Sequence, residues 1–232
     1  MSAIESLIGK CRDCIQRSTC FNTLIPEELE FINQHKEQII YQKGETICKQ
    51  GAFANYVMYV ADGLVKTYLE TVNEKIINLK IIKNLEFIGF SSLCGTKTYN
   101  YSAVALKKSR VCLLDNESFK QLLLKNGKFS IEIMRVYCRN QEHIFNRMKT
   151  IGYKYMLGRL ADALLYLCDE ELADHNIFDY IQRKDIADFA CISKESTVKL
   201  LMDLSENRII RLSGRNIEIL DKSELQHFSN KG

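Results

Sequence analysis

The sequence predicts an α+β protein with an antiparallel β-barrel or sandwich first, a winged helix-turn-helix last, and one long helix between them. Three observations carry this expectation. Short β-rich runs punctuated by glycines fill residues 39–115; an apolar stripe at intervals of three and four runs from about Phe129 to Tyr155; and a helix, a turn, a capped helix and a hairpin follow one another between Ile181 and Leu220.

The length agrees with more than one domain, because 232 residues exceed the roughly 100 to 200 of a usual single domain. Apolar residues make up 46% of the chain and charged ones 26%, a balance that excludes a disordered or fibrous protein. Pro26 is the only proline, so no proline-rich linker divides the chain and a helix is expected to join its domains. The expected parts are a cysteine-bearing segment over 1–21, a β-barrel sensor over 22–127, a dimerising helix over 128–155 and a winged helix-turn-helix over 156–232.

Met1 to Lys10 lacks an apolar export core, and no stretch approaches the roughly eighteen apolar residues needed to cross a bilayer. A cytoplasmic location with no membrane partner is therefore expected. In a reducing compartment the nine cysteines are expected to be free thiols, which leaves metal ligation, redox sensing or packing as their roles. The net charge is +3, and residues 176–232 carry nine Lys plus Arg against nine Asp plus Glu. Gross electrostatics thus neither supports nor excludes nucleic acid, and local patterning must decide.

Pro26 to Gln34 reads as a short amphipathic helix with proline in its first turn and Leu29 and Ile32 on one face. Strands are expected at Tyr56–Ala61, Leu64–Leu69, Lys75–Ile82, Tyr99–Ala105 and Ser109–Leu114, with Gly44, Gly51, Gly63 and Gly95 among the turns. The period changes at Asn116, and a short helix through Leu122–Leu124 ends near Gly127. In the long run that follows, Met134, Tyr137 or Cys138, Gln141, Ile144 or Phe145, Met148 and Ile151 form the seam of a dimeric coiled coil; a helix packed on its own barrel is the competing reading. Asn140, Gln141 and His143 interrupt the stripe, as a switchable dimer would require. Another helix is expected over Leu157–Cys168.

In the C-terminal unit Arg183–Ala190 forms the first helix, Cys191 and Ile192 the turn, Ser193 the N-cap, and Lys194–Glu206 the second helix; Ile209–Leu212 and Ile217–Leu220 flank a Ser213-Gly214-Arg215 turn. Glu195, Val198 and Lys199 share one exposed face, while Leu200, Leu201 and Leu204 point inward. A carboxylate there can accept from a cytosine amino group and a lysine can donate to guanine. Ser193, Lys194, Arg183, Lys184 and Arg215, with Arg208 and Arg211 beyond, surround this face as candidate phosphate ligands. A surface ion pair is the competing reading of Glu195 and Lys199.

Gln50-Gly51 through Tyr59-Val60, Gly63 and Val65-Lys66, then Arg159-Leu160-Ala161, then Asp185-Ile186-Ala187 through Ser193-Lys194-Glu195-Ser196-Thr197-Val198-Lys199-Leu200-Leu201, resemble the Crp/Fnr family of transcription regulators. The resemblance spans about Cys11 to Leu220. It implies a cyclic-nucleotide-binding-like jelly-roll barrel, a homodimer on a pseudo-palindromic operator of double-stranded DNA, RNA polymerase as a further partner, and no enzymatic activity. Val198 stands where the family usually has serine and Lys199 where it has arginine. Lysine keeps a donor but loses the bidentate fork, so the preferred half-site is expected to differ.

Cyclic-nucleotide-binding relatives carry Phe-Gly-Glu and then Arg-Ser or Arg-Ala. The matching stretches here, Phe87-Ile88-Gly89-Phe90-Ser91 and Tyr99-Asn100-Tyr101-Ser102, offer neither an arginine for the phosphate nor a carboxylate for the ribose, so cyclic AMP is not expected. The cysteines point elsewhere. Cys11, Cys14 and Cys20 form C-x2-C-x5-C and Cys112 lies in a distant strand. That spacing by itself also fits zinc, a thiol switch or packing. It resembles the Fnr oxygen sensors, which implies that Cys11, Cys14, Cys20 and Cys112 hold a 4Fe-4S cluster, with Lys10, Arg12 and Arg17 offsetting its charge. Cys48, Cys94, Cys138, Cys168 and Cys191 are expected to be structural. The alternatives are a sensor of haem, nitric oxide or another small molecule, with His143 as haem candidate, and a thiol oxidoreductase built on Cys11 and Cys14. The latter lacks the preceding βαβ unit.

Overall fold

In the computed structural model, which describes residues 18–173 and 175–231, Cys11, Cys14, Lys10, Arg12 and Arg17 lie outside the described residues. The chain divides into two compact units, one running to Glu70 and resuming over Lys80–Gln141, the other comprising Thr71–Leu79 and the chain from Glu142 onward.

The first unit opens with α1 (Pro26–Gln34), whose proline occupies the first turn and whose Ile25 N–H donates to Glu28 Oε2 at 3.1 Å. Leu29 and Ile32 are buried as expected. The strands are β1 (Lys36–Tyr41), β2 (Thr46–Cys48), β3 (Tyr56–Asp62), β4 (Val65–Glu70), β5 (Ile76–Ile82), β6 (Glu86–Ile88), β7 (Ser102–Ala105) and β8 (Ser109–Asp115), with α2 (Ser91–Cys94) between β6 and β7. Their pairing orders are β1-β8-β3-β6 and β2-β7-β4-β5. The expected barrel is therefore a sandwich of two four-stranded sheets, not closed on itself.

Period-two alternation splits β3 between two cores. Met58 and Val60 pack with Val111 and Leu113 of β8, while Val57, Tyr59 and Ala61 pack with Cys112 and Leu114 under the helices. Gly63, between β3 and β4, has φ +134°, and a Cβ there would sit 2.2 Å from Ser109 Oγ, so only glycine fits. Asp115 caps α3 (Asn116–Lys125) by accepting from Ser118 N–H at 2.8 Å. Helix α4 (Gly127–Tyr153) follows; its first turn buries Phe129 and then Ile133 in the same core as Cys112.

In the second unit α5 (Met156–Leu167) buries Leu160, Leu164 and Leu167, and α6 (Glu170–Ala173) follows. Then come α7 (Arg183–Ala190), α8 (Lys194–Glu206), the hairpin β9 (Ile210–Ser213) and β10 (Asn216–Ile219), and α9 (Lys222–Lys231). Sequence reasoning leaves α9 unassigned; Leu225 and Ser229 are its buried residues. Asp162 of α5 gathers three elements: it accepts from Thr150 Oγ1 at 2.5 Å, from Lys154 Nζ at 2.8 Å, and from the Ser229 hydroxyl of α9. Among the described residues no helix is long and apolar enough to cross a membrane.

Candidate nucleic-acid interface and cysteine-bearing core

Cys191 adopts the left-handed conformation that ends α7 and turns the chain toward α8. Ser193 caps α8: its Oγ accepts from Ser196 N–H at 3.0 Å and donates to Ser196 Oγ at 3.0 Å. The Ser193 hydroxyl is thus engaged in the helix itself. Thr197, Leu201 and Leu204 fix the inner face of α8, whereas Leu200, expected to point inward, is only half-buried because it lies toward the rim of that face.

Glu195, Val198 and Lys199 stand exposed together on the outer face. The Glu195 carboxyl is held below its ordinary value by its own backbone N–H, then by the Ser193 hydroxyl and the Lys194 charge. Lys199 is not among its partners, so the two remain separate groups, one acceptor and one donor. Arg183, Lys184, Lys194 and Arg215 line a cleft of about 300 Å³ beside the N-terminus of α8. Arg183 holds the hairpin turn, donating to Arg215 O at 3.1 Å and Gly214 O at 3.0 Å. Lys184 pairs with Asp188 at 2.7 Å, and Arg211 with Glu218 at 2.7 Å across the hairpin.

In the first unit Cys20 is fully buried and Cys112 is 8% exposed, and both belong to one apolar cluster with Phe21, Tyr59, Phe87, Phe119 and Phe129. Burial raises the Cys20 thiol above its ordinary value, against a smaller opposing effect of Ser18. Phe21 carries this segment into the core: its ring lies edge-on to Tyr59 at 5.0 Å and stacked on Phe129 at 6.1 Å. Two of the four expected sulfur ligands are therefore gathered into one cluster, from a loop and from a strand. Among the described residues no group of three or more His, Cys, Asp or Glu side chains is placed to hold a metal ion.

Residues 38–126 match the cyclic nucleotide-binding domain and residues 158–228 the Crp-like helix-turn-helix domain, together more than half of the chain. The chain belongs to the Crp/Fnr family. It is 26% identical over 230 residues to the fumarate and nitrate reduction regulatory protein of Vibrio cholerae, covering 94% of this chain and 90% of that one. It is 23% identical over 212 residues to the cyclic AMP receptor protein of Thermus thermophilus, covering 91% and 97%. The structure of FixK2 from Bradyrhizobium japonicum shares the fold, with a TM-score of 0.72 at 20% identity over 83% of this chain and 96% of that one. As a Crp/Fnr-family protein the chain is a DNA-binding transcription regulator.

In this Crp/Fnr chain the segment that matches a nucleotide-phosphate cradle is filled by tyrosines. Gly89 N–H donates to Tyr101 Oη at 2.9 Å, and Tyr99 Oη donates to Tyr56 O at 3.0 Å. Burial pushes the Tyr99 phenol up to about 12 and raises that of Tyr101 as well, so both hydroxyls stay protonated within these hydrogen bonds. On α4 the Crp/Fnr chain exposes Met134, Tyr137, Phe145 and Met148, with Phe145 and Met148 at 65% and 63%, and leaves Gln141, Ile144 and Ile151 half-buried. The half-buried His143, the haem candidate, has its Nε2 2.9 Å from Leu79 O and its ring 5.3 Å from that of Tyr166. Cys94 and Cys138, expected to be structural, are exposed, because they fall on the outer faces of α2 and α4. The thiols of Cys48, Cys168 and Cys191 make sulfur contacts to the carbonyls of Tyr101, Ile217 and Asp188.

Proposed function

We propose that this Crp/Fnr protein is a homodimeric, cytoplasmic regulator that responds to oxygen, nitric oxide or redox state through a 4Fe-4S cluster on Cys11, Cys14, Cys20 and Cys112. The observation that carries the sensing half is the burial of Cys20 and Cys112, far apart in sequence, in one apolar cluster. The donor chemistry suits iron, and the group when bound would supply sulfur–iron bonds that oxygen or nitric oxide breaks. Cys20 must lose its proton to serve as a ligand, so binding there strengthens as pH rises.

Phe21, covalently next to Cys20 and packed on Phe129, passes displacement of the cysteine segment to the first turn of α4. The exposed stripe through Met134, Tyr137, Phe145 and Met148 is then covered by the same stripe of a second copy, with Gln141, Ile144 and Ile151 at its margins. Two copies of α8 enter major grooves about one DNA turn apart, Glu195 and Lys199 toward base edges and Lys194, Lys184 and Arg215 toward phosphates. RNA polymerase is the partner beyond DNA. The haem alternative is not favoured, since His143 is engaged with Leu79.

Sedimentation of the full chain, purified without oxygen and again after exposure to air, tests the proposal. Dimer without oxygen and a shift toward monomer in air are expected, with Phe145→Glu monomeric in both. An oligomeric state indifferent to oxygen would overturn the sensing half.

A further inference from the structure

The outer face of α8 is not uniformly polar. Val198 is 38% exposed and Met202 57%, and one helical turn separates them, so they form an apolar strip beside Glu195 and Lys199. The hydroxyls of the first turn are already engaged: Ser193 and Ser196 in the cap, and buried Thr197 with Ser193 O at 2.9 Å. Besides Lys194, the acceptor Glu195, the donor Lys199 and the apolar Val198 remain near the N-terminal end to face a ligand.

Charge along the helix says which end approaches DNA. Lys194 and Lys199 outnumber Glu195 in the first half, Asp203 and Glu206 stand in the second, and all border the same shallow groove as Val198. Phosphates therefore draw in the N-terminal half and repel the other. In the major groove the distinctive apolar group is the C5-methyl of thymine. Valine suits it, because its stiff χ1 loses little rotamer freedom on contact.

We infer that Val198 reads the C5-methyl of a thymine in each operator half-site, next to the base pair addressed by Glu195 and Lys199. The inference rests on the DNA-binding reading above and adds the base that this side chain selects. Met202 extends the strip by one turn toward the helix C-terminus.

The test begins with the full chain, purified without oxygen, enriching sequences from a random duplex library. The enriched site is then synthesised with deoxyuridine in place of each thymine in turn, which removes the methyl alone. Binding of wild type, Val198→Ser and Val198→Ala is measured by fluorescence anisotropy. For wild type, one position per half-site should lose about fourfold in affinity, the burial of one methyl group. At that position Val198→Ser should show no further loss, and Val198→Ala a smaller one than wild type. A wild type indifferent to every methyl, or an equal loss in all three proteins, would overturn the inference. Failure to enrich any sequence would instead overturn the DNA-binding reading itself.

Discussion

The ring of Phe21 lies nearly parallel to that of Phe129, their centroids 6.1 Å apart and their planes at 26°. One of these residues follows Cys20 directly and the other lies in the first turn of the long helix α4, so the contact joins the cysteine-bearing segment to the helix that carries the exposed apolar stripe. Phe21→Leu keeps most of the apolar volume but loses the stacked geometry. It should leave the fold intact and weaken the effect of oxygen on oligomeric state, read by sedimentation with and without air. Phe21→Ala should also destabilise the first unit by roughly 3–5 kcal/mol in urea unfolding.

On α8 the base-facing and phosphate-facing residues should separate by salt. Lys199→Ala is expected to cost about 1–3 kcal/mol on the enriched operator and little on random DNA. Arg215→Ala should weaken both alike and lower the slope of log affinity against log salt by about one. Titrations at several salt concentrations distinguish the two.

The elements legible in the sequence are those with a chemical boundary marker. Pro26 opens α1 and Ser193 caps α8, and both helices begin and end where expected. Strands β2 and β6, of three residues each, are too short to display alternation. Helix α9 escaped because its sequence is polar apart from a few positions, and its place depends on Ser229 and Leu225 finding partners on the fold. That Cys20 and Cys112 are buried in one core follows from no local pattern, because they lie far apart in the sequence. Closure of the barrel depends on strand pairing at long range, which composition does not encode.

Asp162 is such a long-range site, holding Thr150, Lys154 and Ser229 together. Replacing it with alanine leaves the partly buried Lys154 ammonium without its carboxylate. Asp162→Ala should cost about 3 kcal/mol in urea unfolding and speed hydrogen exchange in α9. Exchange in β3 and β8 should change little.

Stability should fall at alkaline pH. Burial pushes the Cys48 thiol from an ordinary value of 9.0 up to about 12, and Cys168 up to about 11. Below the unfolded value both states keep these protons and stability is unaffected. Above it the unfolded chain ionises while the folded chain does not, so the folded state loses ground until the folded values are reached. Melting temperature should drop by several degrees between about pH 8 and 10.5, and Cys48→Ala should lessen the slope.

Iron and acid-labile sulfide, assayed after anaerobic reconstitution of the wild type and of Cys112→Ser, report on the proposed cluster itself. About four of each per wild-type chain, with a sulfur-to-iron absorbance that the serine variant loses, is the result this account requires. Equal iron content and an unchanged spectrum in the two proteins would contradict it.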